Sequence, residues 1–440
     1  MDCIVNIRLF QVLSVAILAT FSATSFAQAA IPFAIDFTKE APAPLTQPIS
    51  NKPKIAILMP ESGSPYESLY APVIQAIEAE NKQNGSPYEI LRLPRKWGQN
   101  AQSHLQDAAL MGALVAIGPL ARDAVDEVSS LPFLPLPTIA LNQTSNGVYA
   151  PELMMNYALS QEQEAKQIAE IALAALPATN NKGEPSKVRI FEVDAPLEKR
   201  IANTFEQELI AKQIPYERVV LTPELMKTQS HFYEMESGIK PPELEPLPNR
   251  EDDPYEYQRV RLRNQKLMAE YRSLTAFEEP PYLAAFLAMD ARTAAQITPR
   301  LPRMTRLWGT SLLNPGDPRQ GAVAAMTYDL QRVGFVEAPL VLQNNASDFR
   351  ASFGVSMPAR TFDRRLFSMG VDAYRLALQW MKWKPQIDLN GTTGQLSFIQ
   401  SESSTVKRIA QPALIEANKI KPVSAERLQK AFYRPIEQHK

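Results

Sequence analysis

Along most of the chain, apolar residues fall in short unbroken runs, and the segments after them repeat apolar positions every three or four residues. The clearest case is Lys54 to Asn81. Ile55-Ala56-Ile57-Leu58-Met59 has no polar alternation and is stopped by Pro60, as expected of a strand buried on both faces. A polar turn, Glu61 to Ser64, follows. Tyr66, Leu69, Tyr70, Val73 and Ile77 then mark one helix face. This is the first half of a βαβ unit. Pro72 is expected in the first turn of that helix, with a longer loop before it.

The pattern recurs. Strands are predicted at Tyr88–Leu93, Ala113–Ile117 and Thr138–Leu141, with helices at Leu105–Met111 and Ala121–Val128 between them. Ser160 is a candidate N-cap, and the helix over 161–175 carries Glu162 and Glu164 in its first turn. A second series begins at Val188–Val193. It continues with a helix over 196–212 and a strand at Glu217–Leu221. Residues 222–281 break the rhythm with Pro pairs, an acidic run and a basic stretch. They read as a polar, partly mobile insertion with a solvent-facing helix, on which Tyr257, Val260, Leu267 and Tyr271 share a weak face. Regular structure resumes with strands at Tyr282–Met289, capped onward by Asp290, then at Arg306–Thr310 and Asp329–Pro339. A helix is predicted over 367–383. A glycine turn, LNGTTGQLSF, and an antiparallel excursion over 407–421 come next, with a last exposed helix at 424–432. Strands alternating with helices define an α/β fold with mainly parallel sheets.

These two series predict two Rossmann-like lobes. Lobe 1 is expected to hold residues 53–160 and 333–386, and lobe 2 residues 161–332 and 387–422, with 423–440 as a tail. The chain crosses first near Tyr157 to Ser160 and returns near Arg332 to Pro339. Ligands of such open sheets sit beyond the carboxyl ends of the strands. The loops there supply Ser62, Ser64, Gly118, Pro119, Asn142, Gln143 and Asp290 as candidate ligand-binding residues. A plain alternative is that Gly118-Pro119 and Asn142-Gln143 only shape strand ends.

The N-terminus sets the compartment. Arg8, the apolar core Leu9 to Phe21 and the small residues around Ala27 and Ala29 form a secretory signal over residues 1–29, cut after Ala27 or Ala29. Its core falls short of the roughly 20 residues of a membrane span. Cys3, the one cysteine, precedes that core. The mature chain is therefore expected to have no disulfide, lipid anchor or membrane span, and to be periplasmic. Residues 30–52 read as a Pro-rich leader.

Charge and motifs exclude more than they nominate. A net charge of −1 gives no basic excess for nucleic acid. The 37 Pro against 16 Gly fit many stiff loops and interrupted helices. His104, His231 and His439 share no ligand spacing, so no metal or cofactor is expected. His104 reads as a surface or capping residue. There is no G-x-S-x-G elbow, GxGxxG or P-loop. A carboxylate pair of glycosidase type is not selected by any spacing. The sequence does not nominate an enzyme.

Several strings occur together and in order: IAILMP at 55–60, AIGPL at 116–120, IALNQ at 139–143, YALSQEQEA at 157–165, RLFSMGVDAYRL at 365–376 and LNGTTGQLSF at 389–398. Together they resemble the penicillin-binding protein activator family of the LppC/LpoA type, over residues 53 to about 422 except the insertion. The resemblance implies a type I periplasmic-binding-protein fold, two lobes joined by a hinge of three crossings. It also implies a non-catalytic regulator of peptidoglycan synthesis whose partner is a class A penicillin-binding protein. The best-known members carry a lipid anchor and an N-terminal helical-repeat domain; with no lipobox and a leader of about 23 residues, neither is expected of this sequence. The alternative function is a periplasmic solute receptor that closes on a small amino-acid-like ligand held between the lobes. A cleft plugged by Met59, Tyr66 or Phe191 would favour the regulator.

Overall fold

The computed structural model describes residues 51–145, 150–227, 240–275, 279–302, 304–317, 319, 321–343 and 345–431. The expected signal sequence, nearly all of the leader, His231 and His439 lie outside the described residues.

Buried apolar runs become the central strands of two sheets. β1 (Lys54–Glu61), β2 (Glu89–Arg95), β3 (Ala113–Ile117), β4 (Thr138–Ala140) and β5 (Met154–Asn156) form a sheet of order β2-β1-β3-β4-β5, parallel throughout. In β1, Ile55, Ala56 and Ile57 are fully buried, because helices cover both faces. The second lobe holds β6 (Val188–Glu192), β7 (Tyr216–Val220), β8 (Ala284–Ala288), β9 (Arg306–Gly309) and β10 (Val333–Glu337), paired in parallel in the order β7-β6-β8-β9-β10. A small antiparallel sheet joins β11 (Gln386–Asn390), β12 (Gln395–Ile399) and β13 (Lys407–Ile409). Finally β14 (Gln411–Glu416) and β15 (Lys419–Pro422) extend the second sheet beyond β10 in antiparallel fashion.

The chain passes between lobes three times, at Tyr157–Ser160, at Ala338 and between β13 and β14. Two segments sit in the lobe opposite to the one the sequence suggests. Residues 333–337 belong to the second lobe, since β10 bonds β9 and β14. Residues 387–406 belong to the first: Ile387, Leu396, Phe398 and Val406 join its core with Tyr374 and Trp380. The Trp380 and Phe398 ring centroids stand 5.8 Å apart. The C-terminal helix Ala425–Ala431 is no exposed tail, because Leu428 is fully buried in the second lobe.

The helix after β1 starts at Glu67, so Pro72 lies inside it rather than in its first turn. Proline there removes one backbone hydrogen bond, and burial of Val73, Ile74 and Ile77 holds the helix on. The insertion carries a 22-residue helix, Pro254–Thr275, with Val260, Met268 and Tyr271 buried beneath it and Tyr257 and Leu267 half-buried. The helices Gly321–Asp329 and Ala346–Phe353 have no counterpart in the sequence reading.

The first lobe rests on the crossing of Glu67–Gln83 with the long helix Thr361–Trp380. Gly370 makes that approach possible: a Cβ there would lie 2.5 Å from the Val73 carbonyl oxygen and 2.8 Å from the Ala76 Cβ. Gly370→Ala is therefore expected to destabilise the protein by about 1–3 kcal/mol through overpacking. A urea unfolding curve checks this, and an unchanged midpoint contradicts the account.

Candidate functional site

Polar groups converge at the strand ends of the first lobe and at the hinge. At the strand ends, the turn after β1, the loop after β2 and the loop after β3 enclose an open cavity of about 460 Å³. Ser62, Ser64 and Pro119 line it, with Glu61, Tyr66, Arg95, His104 and Asp123. The turn is self-supporting: Gly63 N donates to Glu67 Oε2 at 2.8 Å and Tyr66 N to Ser64 Oγ at 3.3 Å.

The other candidate residues do not line this cavity. Gly118 has φ of +108°, and a Cβ there would stand 2.7 Å from the Leu58 carbonyl oxygen, so it lets β1 and β3 approach. Asn142 Nδ2 donates to the Leu120 carbonyl at 3.0 Å, and its Oδ1 accepts from Gln143 N at 2.9 Å. Asp290 is in the second lobe and caps the helix Ala291–Ile297, accepting from Thr293 N at 2.8 Å. Met59 and Tyr66 line the cavity without filling it. Phe191 is fully buried in the second lobe's core, so it plugs no cleft.

His104 is buried, not a surface residue. Its Nε2 lies 3.0 Å from the Leu93 carbonyl oxygen, and burial pushes the imidazole below its ordinary range. Among the described residues no group of three or more His, Cys, Asp or Glu is placed to hold a metal ion, and no helix is long and apolar enough to cross a membrane.

The hinge is built differently. Ser160 accepts from Gln163 N and caps the helix Gln161–Ala174 that opens the second lobe. Glu164, in its first turn, is buried. Its Oε2 accepts from Ser311 N at 2.8 Å and its Oε1 from Arg408 Nη2 at 2.5 Å. Arg408, on β13, also donates to the Thr393 carbonyl at 3.3 Å. Thr393 Oγ1 lies 2.7 Å from both the Tyr157 hydroxyl and Asp372 Oδ2. Asp372 further accepts from the Thr392 and Thr393 backbone N–H groups at 2.7 and 2.8 Å. Burial raises its carboxyl above the usual range, against the pull of these donors. A Cβ at Gly391 would fall 2.5 Å from Asp372 Oδ2, which explains that glycine.

From the long helix, Arg365 Nη2 donates to the Ser311 carbonyl at 2.7 Å and to Glu337 Oε2 at 2.6 Å. Glu337, at the second crossing, also accepts from Asn314 Nδ2 at 2.6 Å and Ala338 N at 2.8 Å. Gln163 and Gln167 bond the backbone of the third crossing at Val406, Arg408 and Ala410. One hydrogen-bonded chain thus runs from Tyr157 through Thr393, Arg408, Glu164, Ser311 and Arg365 to Glu337 and touches all three crossings. No local spacing in the sequence marks these groups as a site.

Neither a protein-family profile nor a curated protein matches the chain. Solved structures do. A putative branched-chain amino acid ABC transporter protein from Chromobacterium violaceum ATCC 12472 is 21% identical with a TM-score of 0.57, over 82% of this chain and all of that one. The C-domain of LpoA (YraM) from Haemophilus influenzae, a regulator of PBP1A, is 16% identical with a TM-score of 0.57, over 84% of this chain and all of that one. Full-length LpoA from the same organism is 17% identical with a TM-score of 0.58; the match covers 85% of this chain and 59% of LpoA. Identities this low establish the fold, which is the type I periplasmic-binding-protein fold: two α/β lobes and a three-crossing hinge.

Two outcomes follow from this geometry. Removing one partner of a buried ion pair costs about 3–5 kcal/mol, whereas an apolar replacement of both is often neutral. Arg408→Met should therefore be far less stable to urea than wild type, and Arg408→Met with Glu164→Leu should recover most of the loss; equal losses would contradict the pairing. His104 has a lowered folded pKa, so the unfolded chain binds the extra proton first. Stability is full above the unfolded value of about 6.5 and falls as pH drops below it. His104→Gln should flatten that part of the stability–pH curve, and an unchanged slope contradicts this.

Proposed function

We propose that this chain is a non-catalytic, exported regulator of peptidoglycan synthesis that docks on a class A penicillin-binding protein in the periplasm. The observation that carries the reading is the hinge. A receptor of this fold works by changing the angle between its lobes, and a ligand can drive that change only by its differential affinity for the two arrangements. Here a rotation that parted Glu164 from Arg408, or Arg365 from Glu337, would strand a buried charge, since Glu164, Arg408 and Glu337 are buried and Arg365 nearly so. Stranding one buried charge costs about 3–5 kcal/mol, so a closing ligand would need roughly a hundredfold to several-thousandfold preference for the closed form. A fixed arrangement suits a protein that presents a surface to a partner. The likeness of fold to the LpoA C-domain, from a regulator of PBP1A, and the ordered strings of the activator family point the same way.

The solute-receptor reading keeps one observation in its favour, the open cavity lined by Ser62 and Ser64. Every residue lining it comes from the first lobe, so it supports a small molecule held by one lobe better than one clamped between two.

Surface plasmon resonance over detergent-solubilised class A penicillin-binding proteins from the source organism tests the regulator reading. The expected result is specific, saturable binding to one of them and a faster cross-linking reaction in its presence. No binding to any class A enzyme would overturn the reading.

A further inference from the structure

The insertion between β7 and β8 carries the helix Pro254–Thr275, which has apolar residues on two opposite faces. Val260, Met268 and Tyr271 are buried on the inner face, with Tyr257, Asn264 and Leu267 half-buried beside them. Asn264 fixes that face: its Nδ2 donates to the Glu245 carbonyl at 2.7 Å, and its Oδ1 accepts from Glu245 N at 3.0 Å. The opposite face is thereby held outward. Tyr255, Leu262 and Ala269 recur there every seven residues, a spacing that keeps them on one stripe. Tyr255 is 82% exposed and Leu262 62%. Arg259 and Lys266, also seven residues apart and both exposed, flank the stripe. Lys266 Nζ is only loosely held, 3.9 Å from Glu270 Oε1.

Apolar anchors two turns apart on an anchored, outward-facing helix are the pattern that a groove on another protein takes up. A tyrosine suits such an anchor, because it brings a large apolar face and a polar tip. Charge selects the kind of partner. The helix holds five Lys and Arg against two Glu, in a chain of net charge −1. A second copy of the helix, laid along it in either direction, would set Arg259, Arg261 and Lys266 against like charges. An acidic groove would complement them. We propose that the outer face of this helix docks in an acidic groove of a partner protein, with Tyr255 and Leu262 as anchors and Arg259 and Lys266 steering the approach. The proposal rests on the regulator reading, which makes that partner the class A penicillin-binding protein.

Two double variants of the mature chain, compared with wild type by surface plasmon resonance over the same enzymes, test it. All four positions are exposed, so both variants are expected to keep the wild-type urea midpoint. Tyr255→Ala with Leu262→Ala removes the anchors and should weaken binding about tenfold or more, mainly through faster dissociation. Arg259→Glu with Lys266→Glu reverses the flanking charge and should slow association by roughly tenfold, with a smaller dependence on salt than wild type. Wild-type binding that both variants keep within about twofold would overturn this proposal and leave the regulator reading standing. No binding by wild type would overturn both. Self-association, or attachment to phosphatidylglycerol vesicles, that only the variants lose would assign the stripe to a second copy or a lipid surface and would also overturn it.

Discussion

Glu164 and Arg408 are 244 residues apart in the chain and meet at 2.5 Å with almost no exposure. Two charges taken out of water this far are tolerable only with near-complete hydrogen bonding. Ser311 N donates to Glu164 and the Thr393 carbonyl accepts from Arg408. The rest of the architecture follows from where these groups must stand. The first crossing has to deliver Glu164 one turn into a capped helix. The long helix has to carry Arg365 to the second crossing, and the Thr392-Thr393 turn has to meet Asp372 and Tyr157. Apolar burial makes each lobe; polar burial sets their mutual position.

This separation sorts the short strings of the sequence by place. YALSQEQEA holds Tyr157, Gln163 and Glu164. RLFSMGVDAYRL holds Arg365, Gly370 and Asp372, and LNGTTGQLSF holds Gly391, Thr392 and Thr393. These three strings are thus hinge strings. They encode how two lobes are joined and name neither a partner surface nor a ligand. The strings IAILMP, AIGPL and IALNQ end the strands of the first lobe, where Gly118 and Asn142 are engaged in shaping loops.

Much of the fold was legible because buried parallel strands leave contiguous apolar runs. Every such run named from the sequence overlaps a strand, and the caps at Ser160 and Asp290 are where hydroxyl and carboxylate chemistry put them. Lobe membership was less legible. Val333–Glu337 is apolar enough to be central in either sheet, and only its pairing with β9 and β14 decides. The helix Gly321–Asp329 was missed because its Ala, Val and Met residues form no stripe, and Leu428 looked like a tail residue because one buried leucine makes no period. The hinge ion pairs were illegible for a simpler reason: no local spacing links Glu164 to Arg408 or Arg365 to Glu337. The buried state of His104 was hidden in the same way, since its partner is a backbone carbonyl on a neighbouring strand.

The central claim, that polar burial at the hinge fixes the angle between the lobes, is open to one direct measurement. Spin labels at Lys96→Cys in the first lobe and Arg292→Cys in the second, both exposed, would report the inter-lobe distance by double electron–electron resonance. The account predicts one narrow distance distribution that stays in place when a mixture of amino acids is added and broadens when Arg408→Met is introduced. A distribution that is already bimodal in the wild type, or that shifts to a shorter distance with an amino acid, would show a hinge that closes and would contradict it.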